Sequence, residues 1–384
     1  MMNMMEKHCW AQVDISAIKH NYNYIKEGSR KPFYVVLKAD AYGNGAKYLA
    51  KIYEEMGAFG IGVSCFSEAM ELRTSGIKLP ILVLGYTDPT LARELFNNKI
   101  SQCVFSFEYA EKLNQQALYP IDCHLKLDTG MGRLGFDVVG DKQASFSNMR
   151  KLLDLHNLKF TGIFSHFPVA DALGAKEVAY TENQIKLFNE TLDFLVRNGF
   201  DFKIIHGQNS AGILRNLGGR FNTMRAGIIL YGENPSEEVG SGELQPTMTV
   251  RTIVTHLKTI KAGQFVGYGM CFEAVADTKI ATIAIGYADG LPRQLKSSGH
   301  FVSINGREYP VVGICMDQCM VDVTGSGVEL GDEVIVMGGY GNTSFGTISK
   351  KVGTISHQIM CGIQRRVPRV YIENGKVVNV ECNI

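Results

Sequence analysis

Short apolar runs bounded by Gly, Pro and polar residues alternate with longer amphipathic stretches through the first two thirds of the chain. The runs fall at 32–38, 59–63, 81–85, 102–105, 121–127, 160–164, 203–206 and 223–230. They are too short for helices and rich in β-branched and aromatic residues, the pattern of strands buried on both faces. A weakly alternating segment at 10–15 precedes the first of them. The intervening stretches carry helix signals. Ser16 is placed as an N-cap before Ile18, Tyr22 and Ile25; Ser67 has Gly76 beyond the far end; Asp88 precedes Pro89; Ser106 leads into 108–118; and Thr181 leads into 185–196, with Gly199 as the stop. Eight strand-helix units predict a closed (β/α)8 barrel, because an open doubly wound sheet usually has fewer parallel strands.

Past a Ser/Gly/Glu-rich stretch at 234–246 the texture changes. Runs at 249–261, 279–285, 301–304, 308–312, 320–323 and 333–337 are strand-like, and Asn305-Gly306 and Asn374-Gly375 are type I′ hairpin signals. One late helix is expected over 347–361. The predicted fold class is therefore α/β: an N-terminal (β/α)8 TIM-type barrel over residues 9–240, then a mainly antiparallel β domain over 241–384, with residues 1–14 placed to pack on the second unit.

Composition narrows the partners more than the fold. The net charge is +1 with both signs interspersed, which offers no face to nucleic acid or an anionic membrane and favours small, mostly neutral ligands. Nine cysteines, an odd number without metal-ligand spacing, read as reduced thiols, so neither a metal site nor a disulfide framework is expected. The N-terminal stretch from Met1 to His8 has no apolar signal core, and no run reaches bilayer length, so the expected location is cytoplasmic.

Polar signals collect where the predicted strands end, the face on which such barrels keep their chemistry. Lys38 ends the first barrel strand. Desolvation there would make its amine nucleophilic and suited to a Schiff base, whereas an ordinary strand-end lysine would simply snorkel into water. The Gly-rich loop 128–135 carries Arg133, either a bidentate donor to a carboxylate or phenolate or a solvated turn residue. His166 either orients a ligand or is a satisfied core histidine. His206-Gly207-Gln208-Asn209-Ser210 offers hydroxyl, amide and backbone donors that suit a phosphate, or is an ordinary N-cap. Arg225-Ala226-Gly227-Ile228 follows the last strand, with Gly227 permitting close backbone approach. In the β region, Tyr268 lies between Gly267 and Gly269, and Tyr287 follows Gly286. These phenols either exchange protons or pack half-buried. P-loop, HExxH and GxSxG motifs are absent.

Taken in order across both units, these segments resemble the alanine racemases, pyridoxal-phosphate enzymes with an N-terminal barrel and a C-terminal β domain. The likeness runs from Trp10 to Tyr371. It is carried by Val35-Val36-Leu37-Lys38-Ala39-Asp40-Ala41-Tyr42-Gly43-Asn44-Gly45-Ala46, by Lys126 with 128–135, and by 165–167, 206–210, 225–232, 267–269, 286–290 and 315–318. The resemblance implies interconversion of L- and D-alanine with pyridoxal 5′-phosphate held as a Schiff base on Lys38. Two bases on opposite faces are needed, since the α-proton leaves one face and returns on the other. The resemblance assigns these to Lys38 and to Tyr268 of a partner subunit, in a homodimer with shared active sites.

It further implies that Tyr42, Ser210, Gly227 and Ile228 hold the phosphate, that His166 and Asn209 lie against the cofactor, and that Arg225 faces the ring nitrogen and disfavours its protonation. Arg133 is expected at the phenolate side, positioned by Lys126 as a candidate carbamylated lysine. Arg133, Tyr287, Met316, Asp317 and His357 are expected at the substrate. His357 stands where the family has a tyrosine that lines the entrance and contacts the phosphate. Related serine racemases also differ there, which makes racemisation of serine the alternative. A non-catalytic pyridoxal-phosphate protein would keep the lysine and phosphate loops but not Tyr268 and Met316-Asp317. A decarboxylase of similar architecture would carry an acid near the ring nitrogen and a catalytic cysteine opposite the lysine, where this chain has Arg225 and Tyr268.

Overall fold

The computed structural model describes residues 8–382. The N-terminal stretch 1–7 and the last two positions of the expected second unit lie outside the described residues. The chain opens with β1 (Cys9–Asp14), and the barrel strands follow. These are β2 (Phe33–Val36), β3 (Gly60–Val63), β4 (Ile81–Val83), β5 (Ile100–Val104) and β6 (Ile121–Asp128), which has the two-residue β7 (Phe136–Asp137) at its side. They continue with β8 (Leu158–Phe164), β9 (Ile204–His206) and β10 (Met224–Ala226). All pairings are parallel, in the order β10-β2-β3-β4-β5-β6-β8-β9, and a parallel bridge between His206 and Thr223 closes the circle. Both faces of β2, β3 and β4 are buried, which is why these strands read as unbroken apolar runs rather than alternating ones.

The second sheet is built from β11 (Met248–Ile260), β14 (Thr278–Ile283), β15 (Phe301–Ile304), β16 (Arg307–Ile314), β17 (Cys319–Asp322), β18 (Glu333–Gly338), β19 (Arg369–Glu373) and β20 (Lys376–Glu381), with a short hairpin of β12 (Phe265–Val266) and β13 (Phe272–Glu273) projecting from it. The long β11 pairs with β1, β14 and β18, all antiparallel, so six of its strands curl back on themselves. β1 belongs to this sheet rather than to the barrel, antiparallel to β11 and parallel to β19, with Ala11 and Val13 fully buried. One continuous apolar core runs from the barrel into the β region. Both hairpin signals sit at turns with positive φ, Asn305-Gly306 at 51° and 76° and Asn374-Gly375 at 50° and 76°.

Several local expectations are corrected. Asp14, not Ser16, caps the first helix: its Oδ1 accepts from the Ser16 and Ala17 N–H groups at 2.8 and 3.3 Å. The helix Phe66–Thr74 begins after Cys65 without a side-chain cap, and the Ser67 hydroxyl lies 3.1 Å from Cys65 Sγ. Thr181 is inside a longer helix, Ala175–Arg197, where its hydroxyl donates back to Glu177 O at 2.9 Å instead of capping. The run 223–230 is strand only over Met224–Ala226, because Gly227 turns the chain into a 3-10 turn over Ile228–Tyr231. The late helix is two, Phe345–Val352 and Ser356–Cys361, broken at Gly353 with φ 72°. Among the described residues no helix is long and apolar enough to cross a membrane.

Candidate active site

At the C-terminal end of β2 the Leu37 N–H still donates to Gly62 O at 2.9 Å, and Lys38 is the first residue past the ladder. The next four residues, Ala39 to Tyr42, all have left-handed backbone, with φ between 53° and 54°. Each such non-glycine residue costs about 1–2 kcal/mol, so the turn persists only because its surroundings hold it. Within it, Ala41 N–H donates to Leu37 O at 2.9 Å and Gly43 N–H to Ala39 O at 3.0 Å. From outside, the Glu68 carboxylate accepts from the Ala39 and Ser64 N–H groups, both at 2.7 Å. Arg369, fully buried, donates to Gly43 O at 3.0 Å and spreads its other N–H groups over Ile363, Gln364 and Val367 carbonyls. Gly43 is required because a Cβ there would sit 2.3 Å from Met360 O. The strained turn sends Lys38 and Tyr42 into one cavity, the Lys38 Nζ 5.9 Å from the Tyr42 ring centroid.

That cavity has a volume of about 610 Å³ and lies over the C-terminal mouth of the barrel. Its wall includes Lys38, Tyr42, Lys126, Arg133, His166, Asn209, Ser210, Arg225, Gly227, Ile228 and His357, contributed by five strand ends and one helix of the β region. At one end Asn209 caps a short helix, its Oδ1 accepting from Gly212 N–H at 3.0 Å while its Nδ2 donates to Phe167 O at 3.1 Å. This fixes Ser210, whose Oγ accepts from Gly227 N–H at 3.0 Å and so keeps its own proton for another acceptor. A Cβ on Gly227 would lie 2.7 Å from Tyr42 Oη and 3.6 Å from Ser210 Oγ. The missing side chain leaves a polar hollow ringed by two hydroxyls and backbone. The His357 ring flanks Tyr42 at 5.7 Å.

Arg225 occupies the barrel axis side of the cavity, 4 % exposed. Its guanidinium donates to His206 Nδ1 at 2.7 Å, Ser165 O at 2.7 Å and Gly207 O at 3.2 Å, and approaches His166 Nδ1 at 3.3 Å. His206 in turn faces His124, ring nitrogen to ring nitrogen, at 2.8 Å. Because an arginine only donates, His206 Nδ1 is the acceptor, its proton sits on Nε2, and that proton is given to His124 Nδ1. Burial, reinforced by the Arg225 charge, keeps both imidazoles neutral. Burial and the neighbouring Arg133 also push Arg225 itself down to about 10.

Burial first, and then the Arg133 charge, lowers the pKa of the Lys38 amine. Lys126, 5 % exposed and 5.5 Å from the Phe164 ring centroid, is lowered chiefly by burial. Arg133 rides on a loop tied down by Asp128, whose Oδ1 accepts from the Gly130, Met131 and Gly132 N–H groups at 2.9, 2.8 and 3.1 Å.

Tyr268, Tyr287, Met316 and Asp317 do not line this cavity. Tyr268 stands at the tip of the β12–β13 hairpin, 79 % exposed, between Gly267 and Gly269 with φ 74° and 70°. Met316 is 53 % exposed, and its loop is pinned to the Tyr287 turn by Tyr287 N–H to Cys315 O at 3.1 Å and Ala288 N–H to Met316 O at 3.0 Å. Asp317 Oδ1 accepts from Arg366 at 2.7 Å. All four residues are exposed on the β region, and Tyr287, Met316 and Asp317 sit on adjoining loops.

Two family models match the chain, the alanine racemase N-terminal domain over residues 13–235 and the alanine racemase C-terminal domain over 247–371. The chain is 41 % identical over 381 residues to alanine racemase 1 of Clostridium acetobutylicum, covering 97 % of each. Among solved structures it resembles alanine racemase of Clostridium difficile, with TM-score 0.92 and 36 % identity over 98 % of this chain and 99 % of that one. It also resembles alanine racemase of Bacillus anthracis with bound L-Ala-P, with TM-score 0.91 and 34 % identity over 98 % of each. The chain belongs to the alanine racemase family.

Against the family motifs, sequence reasoning missed the residues that hold the site rather than line it. Glu68 and Arg369 support the left-handed turn, yet in sequence Glu68 reads as an ordinary helix acid and Arg369 as one more surface cation. His124 sits in the middle of β6, where a lone histidine carries no signal. Asp171 and Pro235, which also line the cavity, fall in loops with no periodicity to place them.

Proposed function

We propose that this chain is a pyridoxal-phosphate-dependent racemase that interconverts L- and D-alanine in a cytoplasmic homodimer. The observation that carries the reading is Lys38 at the mouth of β2, in a cavity with a hydroxyl-ringed hollow at one end and a hydrogen-bonded arginine at the other. The residues fit the cofactor. The hollow that a Cβ on Gly227 would fill accommodates a phosphate, with Tyr42 Oη, Ser210 Oγ and the Ile228 N–H as donors and Asn209 holding Ser210 in place. Arg225 can only donate, so facing a pyridine nitrogen it opposes protonation there. Bound pyridoxal phosphate supplies the electron sink that makes the α-proton of an amino acid acidic.

The chain's own groups do the rest. Lys38, its amine lowered by burial and Arg133, holds the cofactor and moves the α-proton on one face. Tyr268 of a second copy does so on the other face, which accounts for a phenol left exposed at a hairpin tip. Met316 and Asp317 of that copy meet the substrate carboxylate, the Met316 N–H as donor, and Tyr287 lies beside them. Arg133 faces the phenolate side. Lys126, whose amine is lowered by burial, is open to carbamylation and in that form would be an anion able to steer Arg133. The same reading divides the chain into a cofactor-binding unit over 9–240 and a β unit over 241–384, with β1 (Cys9–Asp14) given to the sheet of the second unit.

His357 favours a second reading, racemisation of serine. A half-buried imidazole, lowered in pKa first by burial and then by the Lys38 charge, gives the cavity a polar wall able to meet a substrate hydroxyl. The deciding experiment is α-proton exchange in deuterated water, followed by NMR and chiral analysis, with both enantiomers of alanine and serine. Exchange with inversion fastest for alanine is expected. Serine in front would make His357 the specificity residue, and bound cofactor with no exchange for any of the four would reduce the protein to a carrier.

A further inference from the structure

Glu233 is a buried carboxyl that none of the roles above uses. It follows Gly232, where φ is 81° and a Cβ would sit 2.0 Å from Gln245 O, so the chain leaves the Ile228–Tyr231 turn in a fixed direction. The residue is 8 % exposed, and among the described residues it has no ion pair. Its carboxyl lies beside the Ser356 hydroxyl. Gly346 lies alongside and makes room for the pair, since a Cβ there would be 3.7 Å from Glu233 Oε2 and 4.0 Å from Ser356 Oγ.

Ser356 opens the helix Ser356–Cys361, and the next residue is His357. That helix has six residues and no side-chain cap at Ile355, too short to hold its own orientation. Its contacts with its neighbours, Ile359 and Met360 being buried among them, therefore decide where His357 points. At the far end Met360 O lies against Gly43, and at the near end is Glu233. One side chain thus ties the turn that carries Gly227 and Ile228 to the helix that carries His357. Burial raises the Glu233 pKa, with the Ser356 hydrogen bond opposing it, as for a carboxyl placed to bond rather than to pair with a cation.

We propose that Glu233 is a positioning residue: through Ser356 its carboxyl seats the Ser356–Cys361 helix and holds His357 against Tyr42 at the phosphate end of the cavity. The inference rests on the reading of that end as the cofactor's phosphate site.

The test is absorbance titration of cofactor-free protein with pyridoxal phosphate, in a double-mutant cycle. Glu233→Gln still offers Ser356 a partner, whereas Glu233→Met keeps the shape but leaves the hydroxyl unpaired. Wild type and Glu233→Gln are expected to bind alike, and Glu233→Met about tenfold more weakly. In a His357→Ala background Glu233→Met is expected to add nothing, because the group it positions is gone. A merely structural role would lower thermal stability but leave the affinity loss the same in both backgrounds, which would overturn the proposal, as would unchanged affinity in Glu233→Met. Should that variant fail to fold, Ser356→Ala breaks the same contact and runs the same cycle. Wild-type protein that does not bind pyridoxal phosphate overturns the cofactor reading, and this inference with it; intact wild-type binding with an additive cycle overturns this inference alone.

Discussion

Arg225, His206 and His124 show how a cation is kept in a buried site. The direction of the chain is set by the arginine, so neither His206 nor His124 can take a second proton without setting N–H against N–H. A pH signature follows. His206 and His166 lie well below their ordinary value and His124 falls to about 3, burial being the first cause in each. Their native pKa values are below the unfolded ones, so as pH falls through about 6.5 the unfolded chain takes up protons that the native protein refuses, and stability is lost. Each such histidine contributes a slope of about 1.4 kcal/mol per pH unit. His124→Asn, whose amide oxygen can still accept from His206, is expected to flatten the urea-unfolding free energy of cofactor-free protein by about that slope between pH 6.5 and 5. An unchanged slope would mean that His124 is already charged in the native state.

The left-handed turn from Ala39 to Tyr42 is the element on which the site depends, and its support is concentrated in Arg369. One planar guanidinium reaches Gly43, Ile363, Gln364 and Val367 carbonyls, an arrangement an ammonium cannot copy. Arg369→Lys is therefore expected to cost about 3 kcal/mol or more, by leaving buried carbonyls unpaired, and to weaken cofactor binding as the turn relaxes. Urea denaturation and an absorbance titration check the two effects, and a variant with wild-type stability would show that the turn is held elsewhere.

Nothing in Ala39-Asp40-Ala41-Tyr42 signals such a turn, since alanine and tyrosine are ordinary helix residues and only Gly43 and Gly45 hint at positive φ. By contrast, the barrel strands were legible because burial on both faces gives unbroken apolar runs, and Asn305-Gly306 and Asn374-Gly375 because their turns demand a particular backbone. The Thr181 cap was misread because a threonine that bonds back to Glu177 O looks in sequence like one that caps. Lys38, Ser210 and Arg225 were legible as strand-end chemistry. Glu68, His124, Arg369 and Glu233 were not, because their roles exist only through partners far away in the chain.

At the scale of the whole molecule, the residues lining the cavity and the exposed tyrosine at the β12–β13 tip belong to separate parts of the surface. Tyr268, Tyr287 and Met316, with Met270 and Phe265 nearby, are exposed on the β region while the cavity holding Lys38 takes nothing from that surface. A closed dimer with two-fold symmetry lets each copy supply what the other lacks. If so, a Lys38→Ala protein and a Tyr268→Ala protein are each inactive, for opposite reasons. Mixed under conditions that exchange subunits, they form heterodimers in which one site has neither residue and the other has both. With half the dimers mixed and one site of two intact, activity is expected to return to about a quarter of wild type. The measurement is alanine racemisation before and after exchange, with the dimer fraction followed by light scattering. A single-chain site would stay silent in every mixture, because no subunit then carries both groups, whereas recovery near a quarter requires Lys38 of one copy and Tyr268 of the other to act on the same substrate.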